Sequence, residues 1–512
     1  MKTFKYILSA LFFLGTLTSC EDWFGQAPES EMVFGDFWKK KSDVLSSVGS
    51  CYRGLLEEGV IKRLIVWGEV RSDNVIPGKS TEDNLSYILS ANINAANEYA
   101  KWESIYTVIN YCNTVISYAP GVRQSDPDFS EKELQQYLAE AKAIRAFCYF
   151  TLVRTFKDIP YVEDPYNDDS RPFAIAQTSE EVVLDSLMAD LRSIEDAAVD
   201  EFTSIVYNKG RITRNAIWSL IADIALWKND YKTCIEYCDK ILETTTNQLV
   251  LERASVYYKR NFFDGNSSES IWELQFDNNT WNWAVRDLYG ASDYDAKLTS
   301  YDFTADASAP LFASKDIRRK NAFVEKDGFM MIKKYVARLA DANVATVREN
   351  NFEWRSAANS NWIIYRLADI YLMKAEALAE LGDEASLNEA VELVSKTYDR
   401  ANPDLDSGSL IGGYSSQEQV RNLVFDERQR EFLFEGKRYF DLVRRMRREG
   451  TPTTIINAYL LDKYQAMNID RGTVMSKLND VDAIYMPIHQ EELKVNNLLK
   501  QNRFYMTSSA IN

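Results

Sequence analysis

The run Arg366-Leu367-Ala368-Asp369-Ile370-Tyr371-Leu372-Met373-Lys374-Ala375-Glu376-Ala377-Leu378 decides how this chain folds, together with Gly382-Asp383 and Leu387-Ala390-Val394 just after it. Leu367, Ile370 and Leu378 recur at helical spacing, Gly382 is a residue that ends helices, and Asp383 is one that starts them. The stretch therefore reads as a helical hairpin, with helices over 361–381 and 386–399. The same grammar recurs upstream, where Asn229-Asp230 divides Ile217-Leu220-Ile221-Ile224-Ala225 from Tyr231-Ile235-Cys238-Ile241. The period also predicts helices over 36–58, 97–118, 131–156, 179–198, 213–228, 231–243 and 417–447. Irregular sequence separates them at 59–96, 158–178 and 244–360. Within the last of these, Ile271 to Phe276 alternates and predicts a strand with Trp272, Leu274 and Phe276 on one face.

Helix, tight turn, helix, with Ala and Tyr on the facing sides, is the unit of TPR-like repeats. The pairs stand too far apart in sequence for a continuous solenoid. The expected fold is mostly α: a TPR-like helix-turn-helix scaffold with an irregular, loop-rich second half and a few short strands. A loop region as long as 244–360 inside such a scaffold points to function.

The N-terminus addresses the chain to a membrane surface. Lys2 and Lys5 precede an apolar run from Tyr6 to Leu17, and Leu17-Thr18-Ser19-Cys20 follows. This is the pattern of a bacterial lipoprotein leader, with cleavage after residue 19 and acylation of Cys20. The apolar run is shorter than the roughly 20 residues that span a bilayer, and attached acyl chains would provide the anchor. The net charge of −17 repels phosphate backbones and anionic lipid, so nucleic acid is excluded as a partner and membrane contact falls to the lipid.

Hydrophobic residues make up 46% of the chain, enough for a sizeable core. Cys51, Cys112 and Cys148 fall in apolar helical patterns and read as core residues. Cys234 and Cys238 have the spacing of half a metal site, but nothing completes it. His489 is the single histidine, which rules out multi-histidine metal centres and leaves no metal or cofactor expected. Paired-carboxylate chemistry survives, because the chain has 76 acidic residues.

Three segments carry a resemblance to the SusD/RagB family of outer-membrane nutrient-binding lipoproteins. They are Arg366 to Leu378, Glu427-Arg428-Gln429-Arg430-Glu431-Phe432-Leu433-Phe434-Glu435-Gly436-Lys437-Arg438-Tyr439-Phe440-Asp441-Leu442-Val443-Arg444, and Gly210-Arg211-Ile212-Thr213-Arg214 with the helix to Trp227. Asp158-Ile159-Pro160-Tyr161, the spacing from Trp102 to Asn113 and the tail from Met486 to Asn502 are similar too. Lys437 and Arg445 depart from the usual histidine and tryptophan. Glu21 and Asp22 after Cys20 resemble the surface-export signal of Bacteroidetes lipoproteins.

The resemblance implies a leader at 1–19, an N-terminal helical region at 20–220 and a C-terminal region at 221–512. It implies a non-enzymatic protein on the outer face of the outer membrane, held by lipid at Cys20. Such a protein captures oligosaccharides for a SusC-like TonB-dependent transporter. Alternatives are peptide capture as in the RagB branch, a surface glycoside hydrolase, and a TPR-like adaptor with no small ligand.

Arg366, Glu376, Glu427, Arg430 and Arg438 lie in helices with apolar faces and are expected to form buried ion pairs rather than a catalytic centre. Core packing likewise accounts for Trp38, Trp102, Trp218, Trp227, Trp272 and Trp362. Trp281, Trp283 and Trp354 differ, because they are interleaved with amides in loop sequence. A sugar ring stacks its C–H face on such an aromatic and hydrogen-bonds its hydroxyls to Asn, Asp and Arg. The candidate glycan contacts are Trp281, Trp283, Trp354, Tyr289 and Tyr294. Arg71, Asp73 and Asn74 join them, from the loop after the first long helix, where family members commonly place ligand contacts.

Overall fold

The computed structural model describes residues 37–167, 172–290, 295–303, 311–339, 352–414 and 416–506. The leader, Cys20 and Tyr294 lie outside the described residues. Helices α1 (Lys41–Leu55), α2 (Glu58–Ile65), α3 (Glu103–Ser125), α4 (Glu131–Phe156), α5 (Glu180–Ile194), α6 (Arg214–Trp227) and α7 (Tyr231–Glu243) build the first half. Helices α8 (Trp283–Tyr289), α9 (Leu367–Leu381), α10 (Glu384–Ala401), α11 (Gln417–Phe432) and α12 (Arg438–Glu449) follow. Neighbours pack in series, α3 on α4, α6 on α7, α7 on α9 and α9 on α10, while α11 closes over α9 and α10. The strands form two-stranded antiparallel pairs. The mostly α architecture matches the expectation. Among the described residues no helix is long and apolar enough to cross a membrane.

The two hairpins form for the reasons their turn residues suggest. Asn229 takes φ +61°, and Asp230 caps α7 by accepting the Thr233 amide at 3.2 Å. Gly382 takes φ +78°, a left-handed turn that favours glycine. Asp383 then caps α10 through the Ser386 amide at 3.1 Å. Helix α4 opens on a capping box, Ser130 with Glu133, which fixes its start.

Three departures from the sequence reading have clear causes. Helix α9 begins at Leu367, not 361, because Trp362–Arg366 is a strand paired antiparallel with Ser270–Leu274. Aromatic and β-branched residues favour that strand, and a capping box, with the Arg366 amide on Asp369 at 3.0 Å, starts the helix. The Ser270–Leu274 strand is buried on both faces rather than one, because Glu273 is held inside by the Asn361 side chain at 2.7 Å. The helix predicted over 417–447 is two helices. The chain breaks after Phe432, with Phe434 at φ +64° and Gly436 at φ +70°.

A buried carboxylate stabilises that break. Glu69, on the turn of π-helix Val66–Val70, accepts the Gly436 amide at 2.9 Å and the Phe434 amide at 3.3 Å. These amides have lost their helical partners, and Glu69 restores them. Burial raises its carboxyl to about 7 despite those bonds.

Around the break sits an ionic core. The Arg366 guanidinium, fully buried, donates to Glu431 at 2.6 Å, to Glu435 at 2.8 Å and to Glu269 at 3.2 Å. Arg400 joins Glu269 and Glu431. Arg318 bridges Asp316, Glu427 and Glu431 at 2.6, 2.7 and 3.1 Å. Lys334 meets Glu435 at 2.6 Å. A second cluster joins Arg444 to Glu376 and Asp441, with Arg428 and Arg448 beside them. Arg438 pairs with Asp73 at 2.8 Å. The charged motif residues thus form buried pairs, as expected.

Burial pushes the Glu435 carboxyl up, but Arg366 and Lys334 pull it down further, to about 2. The same balance sets Glu431 well below its ordinary value, with Arg400, Arg366 and Arg318 as the opposing charges.

The five cysteines after Cys20 are free thiols and buried. Trp102, Trp227, Trp272 and Trp362 are buried, and Trp38 and Trp218 half-buried against the core. His489 caps the helix Gln490–Val495 by accepting the Glu491 amide at 3.2 Å. That role needs a neutral imidazole, and burial lowers its pKa accordingly.

Replacing Arg366 with methionine strands Glu431, Glu435 and Glu269, and should cost roughly 3–5 kcal/mol in denaturant unfolding. Carboxyls depressed in the fold lend stability that is complete above the unfolded value of about 4.3 and lost as pH falls toward the folded one. The melting temperature should therefore drop between about pH 4.5 and 2 in the parent protein. The drop should be shallower in the Arg366→Met variant, where the depressing charge is gone.

Candidate ligand-binding face

The face is built by the loop from Asp277 to Asn282 and by the first turn of α8. Asp277 accepts the amides of Thr280 at 2.7 Å and Asn279 at 2.8 Å, a side-chain-made turn. Those two N–H groups hold its carboxyl below the usual range. Asn282 fastens the end of the loop. Its amide donates to Ala358 O at 2.5 Å, its side-chain nitrogen to Ser360 O at 2.9 Å, and its oxygen accepts the Val285 amide to cap α8. The loop is therefore clamped to segment 355–361 by a buried residue.

Trp281 and Trp283 flank that clamp and point outward. Their ring centroids lie 4.8 Å apart with planes inclined by 45°, and they are 39% and 45% exposed. Large apolar rings left open beside each other are unusual on a soluble surface unless something covers them in use. The Trp281 indole N–H donates to Asn278 O at 2.8 Å, which spends its polar edge and leaves its faces available. Behind the pair runs a hydrogen-bonded chain. Arg355 donates to Asn359 Oδ1 at 2.7 Å, and Asn359 donates to Asn278 Oδ1 at 3.0 Å. Arg286, one helical turn from Trp283, holds its guanidinium 5.8 Å from the Trp283 ring centroid.

The other sequence candidates go elsewhere. Tyr289 is fully buried and donates its hydroxyl to Phe434 O at 3.0 Å. On α8 the helical period sends Trp283 and Arg286 toward solvent, and Val285, Leu288 and Tyr289 into the core. Trp354 is half-buried in the strand Phe352–Trp354, edge-on to Phe352, and packs on Ala296, Val324 and Met331.

Arg71, Asp73 and Asn74 are all buried. Arg71 is spent on Ile484 O at 2.7 Å and Ala483 O, Asp73 on Arg438, and Asn74 on Glu69 at 2.6 Å and Gln429 at 2.9 Å. Their hydrogen-bonding capacity closes the N-terminal loop onto the C-terminal motif, so Tyr289, Arg71, Asp73 and Asn74 leave the site. Arg286, Arg355 and Asn359 were missed. Arg286 was readable in principle, since it stands at i+3 from an exposed tryptophan on a short helix. The partners of Arg355 and Asn359 arise only in three dimensions.

A second concavity of about 770 Å³ lies between α3 and the tail helix, walled by Tyr106, Tyr166 and Phe173. Asn110 there is locked reciprocally to the Tyr166 backbone, and Asn113 to Val162 O and Arg145. Its amides are consumed internally, which leaves the tryptophan face the better candidate.

Comparison with known proteins agrees with the architecture. Residues 319–505 match a family model described as the SusD family, and residues 44–226 match a SusD-like model described as "Starch-binding associating with outer membrane". SusD-like protein P38 of Formosa agariphila is 25% identical, over 87% of this chain and 92% of its own. A SusD-like protein of Bacteroides ovatus is 23% identical, over 83% of this chain and 79% of its own. Among solved structures, a SusD superfamily protein from Bacteroides vulgatus superposes with a TM-score of 0.70 at 18% identity, covering 92% of this chain and all of that one. A SusD homologue from Bacteroides thetaiotaomicron gives 0.65 at 21% identity, covering 92% of this chain. With both halves of its helical scaffold matched and relatives aligned along most of their length, the chain belongs to the SusD/RagB family.

Proposed function

We propose that this protein is a lipid-anchored, surface-exposed glycan-binding protein of the outer membrane. It captures oligosaccharides and passes them to a SusC-like TonB-dependent transporter, without chemical turnover of its own. The observation that carries the reading is the open Trp281–Trp283 pair on a loop clamped by Asn282. Two inclined rings offer a sugar chain successive stacking surfaces, and the rigid mounting keeps the entropic cost of binding low. The matched family model for the N-terminal half carries a starch-binding description, which supports carbohydrate as the ligand class.

Native gels cast with a panel of polysaccharides test the reading. The leaderless protein should be retarded by at least one glycan, and Trp281→Ala with Trp283→Ala should remove the retardation. The melting temperature should stay unchanged, because both rings are solvent-facing. Retention of full binding by the double variant would remove this face from the site.

The anchor has its own test. Cys20→Ser should abolish incorporation of labelled fatty acid and release the protein from the outer-membrane fraction. A variant that stays labelled and membrane-bound would refute lipidation at Cys20.

A further inference from the structure

Resting on the glycan-binding reading, we infer that the tryptophan face selects acidic glycans, with Arg286 recognising a carboxylate or sulfate substituent on the sugar stacked at Trp283. The basis is an imbalance of charge. Across this acidic chain many buried and half-buried arginines are matched to carboxylates: Arg145, Arg211, Arg318, Arg366, Arg400, Arg428, Arg438 and Arg444 each have one. Arg63 and Arg71 instead spend their guanidinia on backbone carbonyls at separate places, whereas Arg286 and Arg355, also without a carboxylate, meet at a single place. They line the same small cleft with Asn282, Tyr335, Ala358 and Ser360.

Arg355 is half-buried, and its hydrogen bonds all go to neutral oxygens: Tyr335 O at 3.1 Å, Phe263 O at 2.5 Å, Phe262 O at 3.3 Å and Asn359 Oδ1 at 2.7 Å. Burial accordingly lowers its pKa to about 10. Arg286 is half-buried, and its one described contact is with the Trp283 ring, at 5.8 Å. No described carboxylate lies within ion-pairing distance of either guanidinium.

Two cations without an ion-paired carboxylate, with Asp264 felt only at longer range by Arg355, make a local positive field beneath the aromatic platform of a negative molecule. Arg355 is committed to the scaffold and contributes only charge. Arg286 keeps its planar fork of donors, which matches carboxylate and sulfate geometry. A pyranose lying on Trp283 would carry its exocyclic acidic group toward that fork. The adjacent carboxylate, Asp287, is held by Lys62 and Lys297 at 2.8 Å each, and Asp277 is turned onto the amides of Asn279 and Thr280, so neither occupies the guanidinium. The overall negative charge argues against acidic ligands at long range, but salt screens it beyond about 8–10 Å, while a contact pair at the face is screened far less.

The test uses the leaderless protein with polygalacturonate and its carboxyl-reduced form, and with a sulfated galactan and its desulfated form, in affinity gels at low and at 0.5 M salt. The expected result is retardation by at least one acidic member, at least tenfold weaker binding of its neutralised partner, and weakening in salt. Arg286→Gln should erase the preference for the acidic member while leaving melting temperature and Trp-dependent stacking intact. Which acidic member is retained separates carboxylate from sulfate as the recognised group. Equal binding of acidic and neutralised glycans, or a charge preference that survives Arg286→Gln, overturns the acidic-ligand inference but leaves glycan capture standing if Trp281→Ala with Trp283→Ala still abolishes binding. Binding of neutral glycans alone overturns the inference in the same way. No retardation by any glycan, including neutral starch, overturns the capture reading and the inference with it.

Discussion

The buried guanidinium of Arg366 is the point on which the second half of the molecule depends. It sits at the junction of the Trp362–Arg366 strand and α9, and its partners come from three separate stretches: Glu269 before the Ser270–Leu274 strand, Glu431 at the end of α11 and Glu435 in the break after it. Removing charges from water is expensive, and the attraction between them offsets that cost only when every donor and acceptor is satisfied. Arg318, Arg400 and Lys334 supply the remaining positive charge, so five acids and four bases interlock at one centre. An apolar core could hold these helices together, but it would tolerate sliding. A directional network fixes which strand end meets which helix end.

That fixity reaches the surface through the strand pair. The Ser270–Leu274 strand runs into the Asp277–Asn282 loop, and the Trp362–Arg366 strand is preceded by the 355–361 segment that clamps this loop. The tryptophan pair is thus mounted on the outer ends of two strands whose inner ends are anchored at Arg366. Rigid placement of two aromatic rings on an otherwise irregular region follows from that connection. It also separates frame from face: Arg366–Leu378 and Glu427–Arg444 hold the frame on which the Asp277–Asn282 loop stands.

The hairpins were legible in the sequence because turn residues act locally: Gly382, Asp383, Asn229 and Asp230 do in the fold what their chemistry dictates in any chain. The ion pairs were legible as a class, since charged residues on apolar helix faces must find partners. The break at Leu433–Gly436 was not. Periodicity continues through it, and its cause is Glu69, more than 350 residues away, which takes up the freed amides. The same distance hid the fate of Arg71, Asp73 and Asn74. Their composition suits a ligand loop, but Arg438, Gln429 and the 483–484 carbonyls claim them first. On α8 the miss was smaller: Tyr289 and Trp283 look alike as loop-region aromatics until the helix assigns one to the core and the other to solvent.

What separates the proposed face from the rest of the surface is the way its polar groups are spent. In the large cleft beside α3 the amides of Asn110 and Asn113 are consumed by the scaffold. At the tryptophan pair the scaffold uses the backbone oxygens of Phe262, Phe263, Asn278, Ala358 and Ser360 and the indole N–H of Trp281. The ring faces and the Arg286 fork stay uncommitted. A stacking surface with a charged edge binds by contact area and by charge at once, and the two terms respond differently to the solvent: stacking is indifferent to salt, and the ion contact is weakened by it. On the proposed capture function, such a face would discriminate among glycans of similar shape by substituent charge, and its openness would let a glycan leave without the fold having to open.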